Sequence, residues 1–552
     1  MVALSDVKRW NTGQLDEIFR TVQQRLQSLT HSGDDFGKVM PVEGWSGPSA
    51  DTAGSAHHSL MSRIDKMAAG ASIVAKAISQ AADAITGVQH AITDAEALAS
   101  KYGYRIAEDG TVTDTFPAGH APPDMHPEDR ARIRTQIADA VTQALRTADD
   151  IDADLASVLK RAQEGDFGTG DEITVTAAAA DGARDPGLTL PEPPPTATPS
   201  QTAAWWNSLS PAGQAILLHD RPGALGAMDG LPADVRDKAN RVVFTQQYDN
   251  LKRQRDDLQH QMDDLNQSDP TQQTKYFDLE RQRDSLSGKL TGMDQINDRL
   301  TNPLPGQPHA YLLGINPQNS GQAIIAIGNP DTAVNVATYV PGTTAGINDG
   351  MATDINRSDA MVQAAQRAGS PSTSVITWAG YDAPQTLVDA ASPSYADHAE
   401  SSLRRFQDGL GVTHQPGEVN TTIIGHSYGT TVVGQTARDL GLPADNLVMV
   451  ASPGVGVQHA NDLRLDGVPP DQVGQHLYST KAPTDPIPAL TNFDNPAADK
   501  IDPLGPDPTT AWFGGQTFQS DSTNPLSSHG DYWLPRSDSL RSMGNVIAGG
   551  RP

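Results

Sequence analysis

The amino-acid sequence predicts an α/β protein, with a doubly wound, mostly parallel sheet over residues 305–552 and helical segments before it. Three observations carry this. Beyond residue 305, short β-branched runs alternate with helical stretches, the pattern of βαβ units. Before residue 301, apolar residues recur three and four apart. Between the two helical segments lies a stretch of Ala, Thr and Pro with no apolar periodicity. At 552 residues the chain is too long for one hydrophobic core, so several folded units are expected.

Residues 1–165 read as a helical hairpin domain. Leu15, Ile18, Phe19, Val22, Leu26 and Leu29 form one apolar stripe. In Gly44-Trp45-Ser46-Gly47-Pro48 the glycines stop one helix and the proline suits the first turn of the next. An Ala-rich helical stretch follows from about Ser49 to Ser100, and a third helix is expected over 127–163. Two helices joined by Trp-x-Gly resemble the WxG-type hairpins exported by type VII secretion systems. The resemblance implies a helical partner or secretion machinery engaged through residues 1–110. Its export tag, Tyr-x-x-x-Asp/Glu, is matched by Tyr104-Arg-Ile-Ala-Glu108, and Tyr276-Phe-Asp-Leu-Glu280 fits the same pattern. A docking or dimerisation module without export is the alternative.

Residues 175–202 are expected to be an extended, semi-rigid Pro/Ala-rich linker. Residues 203–300 are expected to be helical again. Leu251, Leu258, Met262 and Leu265, then Leu279, Leu286, Leu290 and Met293, are heptad-spaced on either side of Asp269-Pro270, which predicts an antiparallel helical hairpin. Beyond it, strands are expected at 311–315, 323–327, 334–340, 374–378, 421–425, 447–451 and 476–480, with helices such as 396–410 and 430–440 between them.

Composition excludes several function classes. The absence of cysteine removes disulfides, thiolate metal sites and a cysteine nucleophile. A net charge of −27 argues against a partner of duplex nucleic acid. No run approaches eighteen apolar residues, so no transmembrane span is expected. MVALSDVKRW lacks the basic and apolar regions of a Sec signal, which leaves a cytoplasmic location or export by a type VII-like route.

Gly425-His426-Ser427-Tyr428-Gly429 is the one G-x-S-x-G of the chain. The run 421–424 before it reads as a buried strand, and the residues after it have helical spacing. That context makes a strand-to-helix turn with Ser427 as an exposed nucleophile, the arrangement of an α/β-hydrolase fold. The helix N-terminus would point N–H groups at a developing oxyanion. In that fold the acid and then the histidine follow the serine. His529, on the small-residue loop Ser527-Ser528-His529-Gly530-Asp531, is the expected base, with His459 and His476 as competitors. Asp485, between prolines after the 476–480 strand, is the expected acid, with Asp471, Asp494 and Asp502 as competitors. The oxyanion N–H groups are expected from Tyr428 and from Thr343 (or Thr344) in Val340-Pro341-Gly342-Thr343-Thr344. Trp378, Tyr381, Tyr428, Trp512 and Phe513 are candidate pocket walls for an ester with an apolar group.

GNPDTAVNVATYVPGTTAG, ITWAGYDAP, TTIIGHSYGTTVVG, VMVASPGVGV, TDPI and SSHGDYW resemble successive blocks of an actinobacterial α/β-hydrolase family, a domain of unknown function. The resemblance spans roughly 205–535 and implies the hydrolase fold and the Ser427–Asp485–His529 triad, with no substrate attached. The expected activity is carboxylic-ester hydrolysis through an acyl-enzyme, without metal or organic cofactor. An acyltransferase on the same triad and an export-linked interaction protein with a vestigial hydrolase domain are the alternatives.

Overall fold

The computed structural model describes residues 2–116, 127–194, 196–415, 417, 419–491 and 504–552. They form two compact units, one built from residues up to Ile216 and the other from Leu217 onward.

The first unit is helical. Asn11 caps the helix Thr12–Gly37 by accepting the Gln14 N–H, and Pro48 opens the long helix Pro48–Tyr102 at its first turn, as its fixed φ allows. Ala68, Ala69, Ile73, Ala77 and Ala81 along that helix are buried. Small side chains there let neighbouring helices approach closely. Gly103 ends it in the left-handed conformation (φ 68°). A short hairpin of β1 (Tyr104–Ile106) and β2 (Val112–Asp114) follows, then the helix Pro127–Glu164. Tyr104 is buried, its hydroxyl donating to Arg130 O at 2.7 Å, so the tyrosine of the Tyr104–Glu108 pattern is packed inside the unit.

The stretch 175–202 differs from the extended linker expected of it. Val175–Arg184 is a helix, capped by Thr174 accepting the Ala177 N–H at 3.0 Å. Its buried residues Val175, Ala178, Ala179 and Gly182 fall on one face, a short periodicity that the surrounding prolines conceal. A Cβ at Gly182 would stand 2.2 Å from Ala69 O, so this helix packs backbone to backbone against Pro48–Tyr102. Pro199–Ser208 is also helical, with a capping box between Thr198 and Gln201. The described residues between these two helices belong to neither helix nor strand. Trp205 and Trp206 are core residues of this unit.

In the second unit, the helices Ala233–Asp263 and Pro270–Thr301 form the expected hairpin, with Asp269 capping the second. It is not a separate segment. Phe244, Leu251, Leu290, Met293 and Ile296 share a core with sheet residues Leu312, Ile325 and Tyr339. Arg299 locks it down through a bidentate, buried ion pair with Asp359 (2.9 and 3.0 Å). The 203–300 segment is thus divided between the two units, because its Trp-bearing helix and its hairpin bury their apolar faces against different partners.

The sheet has eight strands: β3 (Ala310–Asn316), β4 (Gln322–Ile327), β5 (Asn335–Val340), β6 (Thr373–Ala379), β7 (Asn420–His426), β8 (Asn446–Val450), β9 (Leu477–Thr480) and β10 (Gln516–Thr517). Their order is β10-β9-β8-β7-β5-β6-β4-β3. All neighbours are parallel except that β4 runs antiparallel to both β3 and β6. Every residue of β5 and β6 is buried, as a sheet covered on both faces requires. Val336, Val340, Ile376, Trp378 and Ile423 pack one face against Leu403, Phe406 and Val432. Ala337, Tyr339, Val375 and Ile424 pack the other against Ile355, Val362, Leu540 and Met543. The helix after β5 (Met351–Arg367) and the helix after β7 (Tyr428–Asp439) therefore cover opposite faces. The chain parts between β5 and β7, and a crevice opens at their carboxyl ends.

Candidate active site

Ser427 stands at that crevice, between β7 and the helix Tyr428–Asp439, with φ 54° and ψ −130°. A non-glycine residue in this region is strained by about 1–3 kcal/mol. The flanking glycines make the turn geometrically feasible. A Cβ at Gly429 would lie 2.1 Å from Val340 O, and one at Gly425 would lie 2.6 Å from Thr430 Cα. The Ser427 N–H donates to Val450 O at 2.9 Å, and Ser427 O accepts from Thr430 N–H at 3.0 Å and from the Thr430 hydroxyl at 2.7 Å. The turn is held from both sides.

The loop after β5 lies against it. A Cβ at Gly342 would stand 2.8 Å from Ser427 Cβ and 2.9 Å from Tyr428 N. Tyr428 is the first residue of its helix, so its N–H has no carbonyl within the helix to bond. The Thr344 N–H donates to Pro384 O at 2.8 Å. The Thr343 N–H has no backbone partner among the described residues.

Asp485 follows β9 and is buried. Its carboxylate meets His529 Nδ1 at 2.9 and 3.0 Å. It also accepts the Tyr532 hydroxyl at 2.7 Å and the Ile487 N–H at 3.0 Å. Tyr532 in turn accepts the Ala482 N–H at 2.7 Å, and burial beside Asp485 pushes its phenol far up, so it stays a donor. With Nδ1–H given to Asp485, the imidazole keeps Nε2 as its free acceptor. The His426 ring packs tilted against that of His529 with ring centroids 4.8 Å apart, and its Nε2 donates to His529 O at 2.9 Å. Burial holds His426 well below the usual histidine range, with the nearby Arg357 charge adding to the effect.

Ser427, His426 and His529 line one cavity of about 500 Å³ with Pro341, Gly342, Thr343, Thr344, Asp354, Arg357, Gln385 and Ile487. The structure thus brings together Ser427, Asp485, His529, Tyr428 and Thr343. It does not bring the expected aromatic walls there. Trp378 and Tyr381 stack on each other in the core, with the Tyr381 hydroxyl on Pro341 O, and Phe513 is fully buried. Trp512 sits edge-on to His459, and the Tyr428 ring is buried with its hydroxyl on Ser392 O. Large flat side chains filled the sheet's packing layer, and the crevice took its walls from loops. The competitors also lie apart. His459 Nδ1 faces Trp512 O and His476 Nδ1 faces Asp445 O, while Asp471 is exposed on the 3-10 turn Pro470–Gln475. Asp494 and Asp502 fall outside the described residues. Tyr532 and Arg357 were not anticipated. Tyr532 follows His529 in SSHGDYW, whereas Arg357, three residues after Asp354, has the pattern of a solvated helical ion pair.

The second unit has an α/β-hydrolase fold. Residues 316–495 match a family model described as alpha/beta hydrolase. An uncharacterized protein of Mycobacterium tuberculosis strain H37Rv is 31% identical over 441 residues, covering 72% of this chain and 65% of that protein. The chain therefore spans just under two thirds of this relative. An uncharacterized protein of Mycobacterium bovis is 28% identical over 190 residues, covering 32% of this chain and 70% of its own. Among solved structures, esterase LipW from Mycobacterium marinum is 11% identical with a TM-score of 0.28, covering 47% of this chain and 86% of its own. A hyperthermophilic esterase from Pyrobaculum calidifontis is likewise 11% identical with a TM-score of 0.28, covering 47% and 90%. Among the described residues no helix is long and apolar enough to cross a membrane.

Proposed function

We propose that the second unit is a serine hydrolase of carboxylic esters. The observation that carries this reading is the His529 Nδ1–Asp485 contact of 2.9 Å beside a strained Ser427 in one cavity. Ser427 Oγ attacks the ester carbonyl while His529 Nε2 takes its proton. The carbonyl oxygen becomes an oxyanion facing the Tyr428 and Thr343 N–H groups. Collapse expels the alcohol, which leaves with the proton from His529, and the acyl-enzyme remains. Water then attacks with His529 as base again, releasing the acid and restoring Ser427. Turnover of a series of aryl esters by the full chain and by Ser427→Ala tests this. Hydrolysis is expected from the first alone, and equal rates from both would refute the reading.

For the first unit we propose a docking role at the tip of the hairpin, of the type VII export kind. Val39, Val42 and Trp45, at the turn between Thr12–Gly37 and Pro48–Tyr102, are about half exposed, more apolar surface than an isolated turn needs. Trp45→Ala is expected to abolish export from a mycobacterial host while leaving the protein folded. Undiminished release into the culture medium would contradict it.

A further inference from the structure

The cavity at Ser427 lacks the aromatic walls that were expected, and Arg357 is the one permanent cation among its described lining residues. Its guanidinium is held in place from three sides. It lies 4.5 Å from the Trp533 ring centroid, and Nη1 donates to the Tyr339 hydroxyl at 2.8 Å and to Asp354 Oδ1 at 3.0 Å. Neither bond uses Nε or Nη2. Nε is buried without a partner, and Nη2 lies beside Gly530, 3.7 Å from where a Cβ there would stand, next to His529. A guanidinium fixed in this way and short of partners presents Nη2 as a charge-assisted donor, the kind of group that holds a carboxylate. Asp354 pairs with the guanidinium through Nη1 alone, at 3.0 Å.

We propose that the substrate of the Ser427 site is an ester carrying a carboxylate, bound by Nη2 of Arg357 in the cavity that holds the scissile carbonyl. The proposal rests on the ester-hydrolase reading for its substrate class, and on the cavity alone for its carboxylate site. A carboxylate fits better than a phosphate, since a doubly charged tetrahedral group would call for a second cation and the described lining residues supply none. The chain's net charge of −27 does not oppose it, since surface charges beyond a Debye length of roughly 8 Å are screened while Arg357 would touch its ligand.

The test compares kcat/KM for 4-nitrophenyl hemiglutarate and 4-nitrophenyl valerate, corrected for spontaneous hydrolysis, and titrates glutarate and methyl phosphate into Ser427→Ala protein by calorimetry. The acidic ester is expected to be preferred about tenfold or more, the worth of one well-placed charged contact. That ratio should fall in Arg357→Lys, which keeps charge without the fixed guanidinium plane, and approach one in Arg357→Gln. Glutarate should bind Ser427→Ala and be lost when Arg357→Gln is added. Both esters hydrolysed alike, with no glutarate binding, would overturn the carboxylate site while leaving the hydrolase reading intact. Glutarate binding through Arg357 without turnover of any ester would do the reverse. Tighter binding of methyl phosphate than of glutarate would overturn the choice of carboxylate.

Discussion

Replacing Asp485 by Asn alters little in shape and much in hydrogen bonding. The carboxylate accepts from His529 Nδ1, Tyr532 Oη and Ile487 N at once. An amide nitrogen in place of Oδ2 would face the Tyr532 hydroxyl, whose oxygen already accepts from Ala482 N. The imidazole would lose its fixed tautomer. Asp485→Asn is expected to lower kcat by about three to four orders of magnitude with the fold retained, read from ester kinetics beside circular dichroism. His426 supplies a pH prediction. The folded protein holds it below its ordinary range, so on acidification the unfolded chain takes a proton that the native state refuses. Stability from this residue is complete above a pH of about 6.5 and is lost as pH falls below it. His426→Gln should show a smaller drop in urea midpoint between pH 7.5 and 5 than the wild type; an equal drop would contradict this account. Ser427, Asp485 and His529 were legible because the fold's chain order sorts few candidates. Arg357 and Tyr532 were not, because whether a charged helix residue or a loop tyrosine faces a cavity depends on tertiary packing.

At the scale of elements, seven of the eight strands of the sheet were readable as β-branched runs, since strands buried on both faces carry little else. β10 was not, having two residues, Gln516 and Thr517, and no apolar signature. The helix Val175–Arg184 was hidden by flanking prolines, although its own Ala residues favour a helix. Two substitutions test how these elements are joined. Gly429→Ala puts a methyl where Val340 O lies 2.1 Å away, so the turn at Ser427 must open. It should cost about 1–3 kcal/mol and nearly all activity. Asp359→Asn leaves the buried Arg299 charge without its counter-ion, and should cost about 3–5 kcal/mol, lowering the urea midpoint of the second unit. A midpoint unchanged in Asp359→Asn would mean that the hairpin is held by its apolar face alone.

For the whole molecule, charge is the dominant feature. A net −27 repels itself in the compact state. Raising NaCl from about 0.05 to 0.5 M shortens the Debye length to a few ångströms and should raise the thermal midpoint; a flat response would show that paired charges already cancel the field. Ester hydrolysis at this site requires Ser427 to be an activated nucleophile in the folded chain, which covalent labelling reads out. Full-length protein treated with a fluorophosphonate and mapped by mass spectrometry should carry a single adduct on Ser427, with labelling lost in His529→Ala. Intact protein that resists the probe, or carries it on another residue while still hydrolysing esters, would contradict the account.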